Sequence, residues 1–184
     1  GRIERYTRSF NYPQTSCING KEDLKTMEIK AFFASNVCAA YRREIFDELG
    51  GFTNHTIFNE DMIYARGMIN AGYKIAYVSG AQVVHSHNYS GMGQLRRNFD
   101  LGVSHADYPA VFSDLSTESE GLRLVKKTCL YLCHEGKPWL RIKLVWHSGC
   151  KYLGYFLGKR YKRLPKGLRR RLSMNRDYWK NCSL

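Results

Sequence analysis

Apolar positions in the first half of the chain fall into short runs with two different periods. In RREIFDELGG, Ile45, Phe46 and Leu49 form a stripe at helical spacing, and Gly50 supplies the stop. In NEDMIYARGMINAG, Met62, Ile63, Ala65 and Ile69 form a second stripe, with Asn59 placed as N-cap and Gly72 as terminator. KEDLKTMEI predicts a shorter helix. Around these segments the period shortens. YKIAYV and AQVVHSH alternate or run apolar over strand lengths, divided by Ser79-Gly80. AFFASNVCAAY, rich in aromatic and small residues, reads as a buried strand running into a loop. Beyond Met92 the pattern is helical with interruptions to Leu115, and residues 119–135, 138–163 and 166–172 read as further helices. The pattern predicts an α/β portion over residues 1–90 and a helical extension over residues 91–184.

Charge sharpens that division. The 184-residue chain carries a formal net charge of +13. Residues 1–119 hold 12 Lys and Arg against 13 Asp and Glu, whereas residues 120–184 hold 17 against 3. A basic excess confined to the last third points to a polyanionic partner. Three readings of KPWLRIKLVWHSGCKYLGYFLGKRYKRLPKGLRRR stay open: helices with a solvated basic face, an interfacial segment on anionic lipid, or a nucleic-acid groove. No stretch approaches the roughly 18 uncharged apolar residues of a spanning helix. The six cysteines form no CxxC pair, and settings such as VCAAY and TCLYLC suggest reduced core or groove residues in a cytosolic protein. Cys129 and Cys133, one helical turn apart, suit packing or a metal.

The candidate chemistry is sparse. Glu60 and Asp61 stand side by side at a predicted helix start, with no Lys or Arg within four residues on either side. Acidic residues there favour the helix dipole by about 0.3–1 kcal/mol each, which explains the pair without catalysis. A carboxylate so placed also suits a general base. His85 and His87 lie two apart on a predicted strand and share a face, a weak zinc signature. There is no phosphate-binding GxxxxGK[ST] loop, no GxGxxG after a strand, no GxSxG and no DxD.

The order SNVCAAYRREIFDELGGF, NEDMIYARGMINAGYKIAYV, AQVVHSHNYS resembles the second half of the catalytic domain of family 2 glycosyltransferases, in the bacterial rhamnosyltransferase-like group. The resemblance is strong over residues 30–90. It implies the C-terminal half of a GT-A (Rossmann-like) domain followed by a basic α-helical tail. It further implies an inverting transfer of a sugar, rhamnose in this group, from a nucleotide-sugar to a polysaccharide or lipid-linked acceptor. Asp61 would be the base, with Glu60 beside it. Ser35, Asn36 and Phe52 would contact the donor–acceptor cleft. His85, or His87 in its place, would help hold a divalent metal (Mg or Mn) on the diphosphate. Two departures stand out: Ser79-Gly80 replaces a frequent Pro, and the nucleotide-binding half with its DxD is missing from these residues. By the resemblance this is the acceptor-side part of the enzyme, with little activity in isolation and an exposed sheet edge that favours self-association. The expected location is cytoplasmic and peripheral, with residues 120–184 on the anionic inner face of the cell membrane. The alternative is a basic module that binds nucleic acid or membrane without catalysis.

Overall fold

The structure is a computed structural model that describes residues 12–85, 89–113, 117–136 and 139–181. In chain order the described elements are β1 (Cys17–Asn19), α1 (Leu24–Met27), α2 (Arg43–Glu48), α3 (Glu60–Asn70), β2 (Ile75–Tyr77), α4 (Gly91–Asp107), α5 (Pro109–Phe112), α6 (Thr117–His134), α7 (Leu140–Lys159), α8 (Lys166–Leu172) and α9 (Tyr178–Asn181). The architecture is mixed α/β, mostly helical with a small sheet. Two compact units emerge, one within residues 12–86 and 108–115, the other within residues 87–107 and 116–184.

In the first unit, β1 and β2 pair antiparallel, with Cys17 opposite Tyr77 and Asn19 opposite Ile75. The core is Phe32, Met62, Ala65, Ile69 and Phe112, flanked by Ile29, Ile75, Tyr108 and Val111. The stripe on α3 therefore faces the core as its spacing predicts. Phe112 arrives from α5, after the chain has passed through the other unit. Two predicted strands do not form. Ala31 and Phe32 are fully buried but end a 3-10 turn over Glu28–Phe32, and residues 33–41 run on as a loop. Residues 81–85 carry no strand, and Val83 and Val84 are exposed. An isolated extended run lacks a neighbour to satisfy its backbone, so apolar composition alone does not make it a strand.

The second unit is built on α4 and α7, whose backbones touch. A Cβ on Gly154 would collide with the Leu95 carbonyl, and one on Gly158 with the Phe99 carbonyl; one on Gly102 would lie 3.0 Å from the Gly158 Cα. Only residues without a side chain permit this crossing. The C-terminal segment is tied back to α4 by Asp100, whose carboxylate accepts the Met174 N–H at 2.9 Å and the Asn175 N–H at 3.2 Å. Among the described cysteines Cys150 is buried, but Cys38 and Cys133 are exposed, which corrects the expectation of core or groove positions for those two.

The close crossing sets opposite signs for two substitutions on one helix. Gly154→Ala is expected to destabilise the chain by about 1–3 kcal/mol, because the backbone it meets cannot rotate away. Gly149→Ala meets nothing within 4 Å and is expected to stabilise by about 0.5–1 kcal/mol through helix propensity. Urea unfolding of the two variants measures both.

Candidate active site

The acidic pair opens α3, and the chain reaches it through an unusual residue. Asn59 has φ +65°, in the left-handed region that Asn tolerates better than most side chains. It is buried and its side chain caps nothing, contrary to the N-cap role its position suggests. The orphan N–H of the first turn is instead taken by Asp61, whose Oδ1 accepts from Met62 N at 2.8 Å.

The second holder of the pair comes from the loop before α2. The Ser35 carbonyl accepts the Cys38 N–H at 3.1 Å, closing a turn that presents Asn36. Asn36 then engages both acids. Its backbone N–H donates to Asp61 Oδ2 at 3.1 Å, and its side-chain Nδ2 donates to Glu60 Oε1 at 3.2 Å. Tyr41 completes the chain of bonds, its hydroxyl donating to Asn36 Oδ1 at 2.8 Å. This fixes the amide orientation, with the oxygen toward Tyr41 and the nitrogen toward Glu60.

Tyr41 is itself held by rings. It meets Phe52 and Tyr64 edge-on, each with centroids 5.4 Å apart, and Phe46 packs on Phe52 at 5.0 Å. The Gly50-Gly51 turn makes this cluster possible. Both glycines have positive φ, and a Cβ on Gly51 would come within 2.8 Å of the Phe46 ring. A cavity of about 340 Å³ opens beside the cluster, lined by Gly50, Gly51, Phe52, Thr53 and Tyr64 among others; neither acid lines it.

The electrostatics follow from this packing. Burial pushes the Asp61 carboxyl above the ordinary range, and the charge of Glu60 adds to the rise; the N–H bonds from Asn36 and Met62 oppose it. No Lys or Arg among the described residues pairs with either acid. Tyr41 is pushed up to about 12, first by burial and then by the charges of Asp61, Tyr64 and Glu60, so it stays a protonated donor. Asp61 is thus a half-buried carboxylate held by two backbone N–H groups, one on each oxygen, with lone pairs to spare.

Of the residues singled out in the sequence, Glu60, Asp61 and Asn36 come together. Ser35 contributes through its backbone turn, and Phe52 through the aromatic cluster. His85 lies half-buried in the segment after β2, without the strand that would set its face; His87 lies outside the described residues. No three His, Cys, Asp or Glu side chains among the described residues gather to hold a metal. Tyr41 was not anticipated. Its signal was the aromatic run Tyr41, Phe46, Phe52, Tyr64, which reads as core until the hydroxyl is traced to Asn36.

A half-buried carboxylate of fixed orientation, with no cation paired to it among the described residues, can accept a proton. Comparison with known proteins finds relatives over nearly the whole chain. The chain is similar to the O-antigen chain rhamnosyltransferase WbaN of Salmonella anatum, with 44% identity over 177 residues, covering 96% of this chain and 56% of that protein. It is similar also to the O-antigen chain rhamnosyltransferase RfbN of Salmonella typhimurium LT2, with 43% identity over 177 residues and the same two coverages. The chain therefore spans about half the length of the curated relatives it matches. No family model and no solved structure matches it.

The Asn36 bridge makes a pH-dependent prediction. Asn36→Ala removes two side-chain bonds, whereas Asn36→Asp also sets a third carboxylate against the pair. At pH 7 the Asp variant is expected to be less stable than the Ala variant by about 1 kcal/mol. Mutual repulsion raises the folded-state pKa values above the unfolded ones. The extra penalty is therefore full at neutral pH, and it disappears as pH falls through the folded values to about 4 and below. Denaturant unfolding at the two pH values tests the sign.

Proposed function

We propose that this chain is the acceptor-side part of an inverting glycosyltransferase, the C-terminal half of a GT-A domain with a helical extension, and that Asp61 is its general base. The reading rests on one observation above the others: Asp61 is a half-buried, fixed carboxylate with no cationic partner among the described residues. The similarity to O-antigen chain rhamnosyltransferases over nearly the whole chain supplies the reaction class.

In the proposed reaction a hydroxyl of the acceptor donates its hydrogen bond to Asp61. As its oxygen forms the bond to the anomeric carbon of the donor sugar, its proton passes to the carboxylate, and the bond from that carbon to the nucleoside diphosphate breaks with the electron pair leaving on the diphosphate. One displacement inverts the anomeric centre. The donor is a nucleotide-linked sugar, rhamnose by similarity, and the acceptor is a growing polysaccharide or a lipid-linked glycan at the cytoplasmic face of the membrane. Asn36 keeps Asp61 aimed and takes up Glu60, so that the neighbour does not compete for the same proton. The Tyr41 hydroxyl keeps Asn36 from flipping. The described residues do not by themselves make a site for Mg or Mn, and no step is derived through one. His85, with His87 as the alternative, is the ligand this chain would lend to a divalent metal that neutralises the diphosphate.

In the enzyme that includes the donor-binding half, Asp61→Asn is expected to lower kcat by about 10²–10⁴-fold while donor affinity and the circular-dichroism melt stay unchanged. Transfer at the normal rate in that variant removes Asp61 as the base. In the unmodified enzyme, activity is expected to decline as pH falls through the raised pKa of Asp61, beginning at a higher pH than an exposed carboxylate would give. A pH–rate profile of kcat/KM reads this directly. Tyr41→Phe is expected to reduce kcat by roughly 2–10-fold, the worth of one hydrogen bond, with little change in KM.

A further inference from the structure

Helix α7 has two apolar faces. At about 100° per residue, Leu144, Cys150, Gly154 and Gly158 fall on one side, and all four are buried. Directly opposite lie Ile142, Val145, Gly149, Tyr152, Leu153 and Phe156. These are exposed: Ile142 by 78%, Val145 by 60% and Tyr152 by 58%. Trp146, at the margin, is 65% exposed although a Cβ on Gly91 would meet its indole. A helix that is apolar on both faces is stable in water only if something covers the second one.

We propose that this outward face of α7 lies on an anionic lipid surface. The occupant is chosen by charge. Leu140–Lys159 contains no Asp or Glu, and Arg141, Lys143, Lys151 and Lys159 in it are all exposed, as is Arg160 just after it. Residues 120–184 hold 17 Lys and Arg against 3 acids. A second copy of the same face would set Arg141, Lys159 and Arg160 against their counterparts, whereas phosphate headgroups neutralise them at about 1 kcal/mol each. Of these cations Arg141, Lys159 and Arg160 flank the outward apolar face, whereas Lys143 and Lys151 lie toward the buried side of the helix; Arg160 lies over the Phe156 ring at 3.8 Å, the position from which a guanidinium reaches headgroups while the ring enters the acyl boundary. Trp and Tyr at exposed positions suit the same depth. No helix of the described residues is long and apolar enough to cross a membrane, so α7 lies along the surface rather than through it. The inference stands on this face alone and is independent of the role of Asp61.

The test is vesicle co-flotation of the full 184-residue chain, with phosphatidylglycerol vesicles against phosphatidylcholine vesicles. The chain is expected to bind phosphatidylglycerol at least about tenfold better at low salt and to be released as salt rises. Ile142→Asp/Val145→Asp is expected to lower binding by about tenfold or more with an unchanged circular-dichroism spectrum. A second measurement needs no variant: Trp fluorescence of the unmodified chain should shift to the blue on phosphatidylglycerol and be quenched by brominated lipid, since Trp139 and Trp146 are exposed. Equal binding to both lipids, undiminished binding by the folded double variant, or unquenched fluorescence overturns the proposal. So does a dimer in sedimentation velocity that the double variant dissociates while neither protein floats, or tight RNA binding in place of vesicle binding. Loss of flotation leaves the transferase reading untouched, because that reading is measured by sugar transfer.

Discussion

Two adjacent carboxylates with no cation paired to them among the described residues are held by neutral donors, and the Asn36 loop and the start of α3 supply them. One donor is the N–H of Met62, free because it belongs to the first turn of α3. The others come from a single residue, Asn36, which reaches both acids at once. An Arg or Lys in that place would fix the pair more strongly and would also pull the Asp61 pKa down, leaving a weaker base. Neutral donors orient the carboxylate without quenching it. The aromatic cluster around Tyr41 then has a definite role: it is the rigid wall from which a protonated hydroxyl sets the Asn36 amide.

Placement at a helix start favours an acidic pair through the helix dipole alone. What is particular here is the Asn36 loop that reaches across to both acids, and no helix propensity encodes that. The two halves of the chain also divide their chemistry by charge. The nearly neutral half carries the carboxylates, and the strongly basic half carries an apolar helix face with no acid on it.

Legibility in the sequence followed the length scale of the interaction. Helix α3 was legible because Met62, Ala65 and Ile69 repeat at 3.6 residues against one core. The helices of residues 117–172 were legible for the same reason. The strands failed where composition stood in for pairing: Phe32 is buried by packing at the end of a 3-10 turn, and Val83 and Val84 have water for a neighbour. Asn59 reads as a cap from its position alone, yet its left-handed backbone and burial take the side chain elsewhere. Within the site, Glu60 and Asp61 were legible as a pair, and Asn36 as a nearby contact. The bridge between them joins residues 24 and 25 positions apart, which no local pattern reports. The outward face of α7 was half legible: its aromatic and basic composition was evident, but which side faced outward depended on Gly154 and Gly158 meeting the carbonyls of α4.

Phe112 gives the first unit an order of assembly in time. The core on which α3 packs is drawn from residues 32 to 69 and then from residue 112, with all of α4 synthesised in between. A nascent chain emerging at about 5–20 residues per second therefore presents Glu60 and Asp61 for several seconds before Phe112, the last residue of the core on which α3 packs, has been made. Chain closure over that span is slow compared with helix formation. The acidic pair is thus translated well before the core beneath α3 is complete, and a chain that stops short of residue 112 carries the carboxylates on a helix whose core lacks one ring.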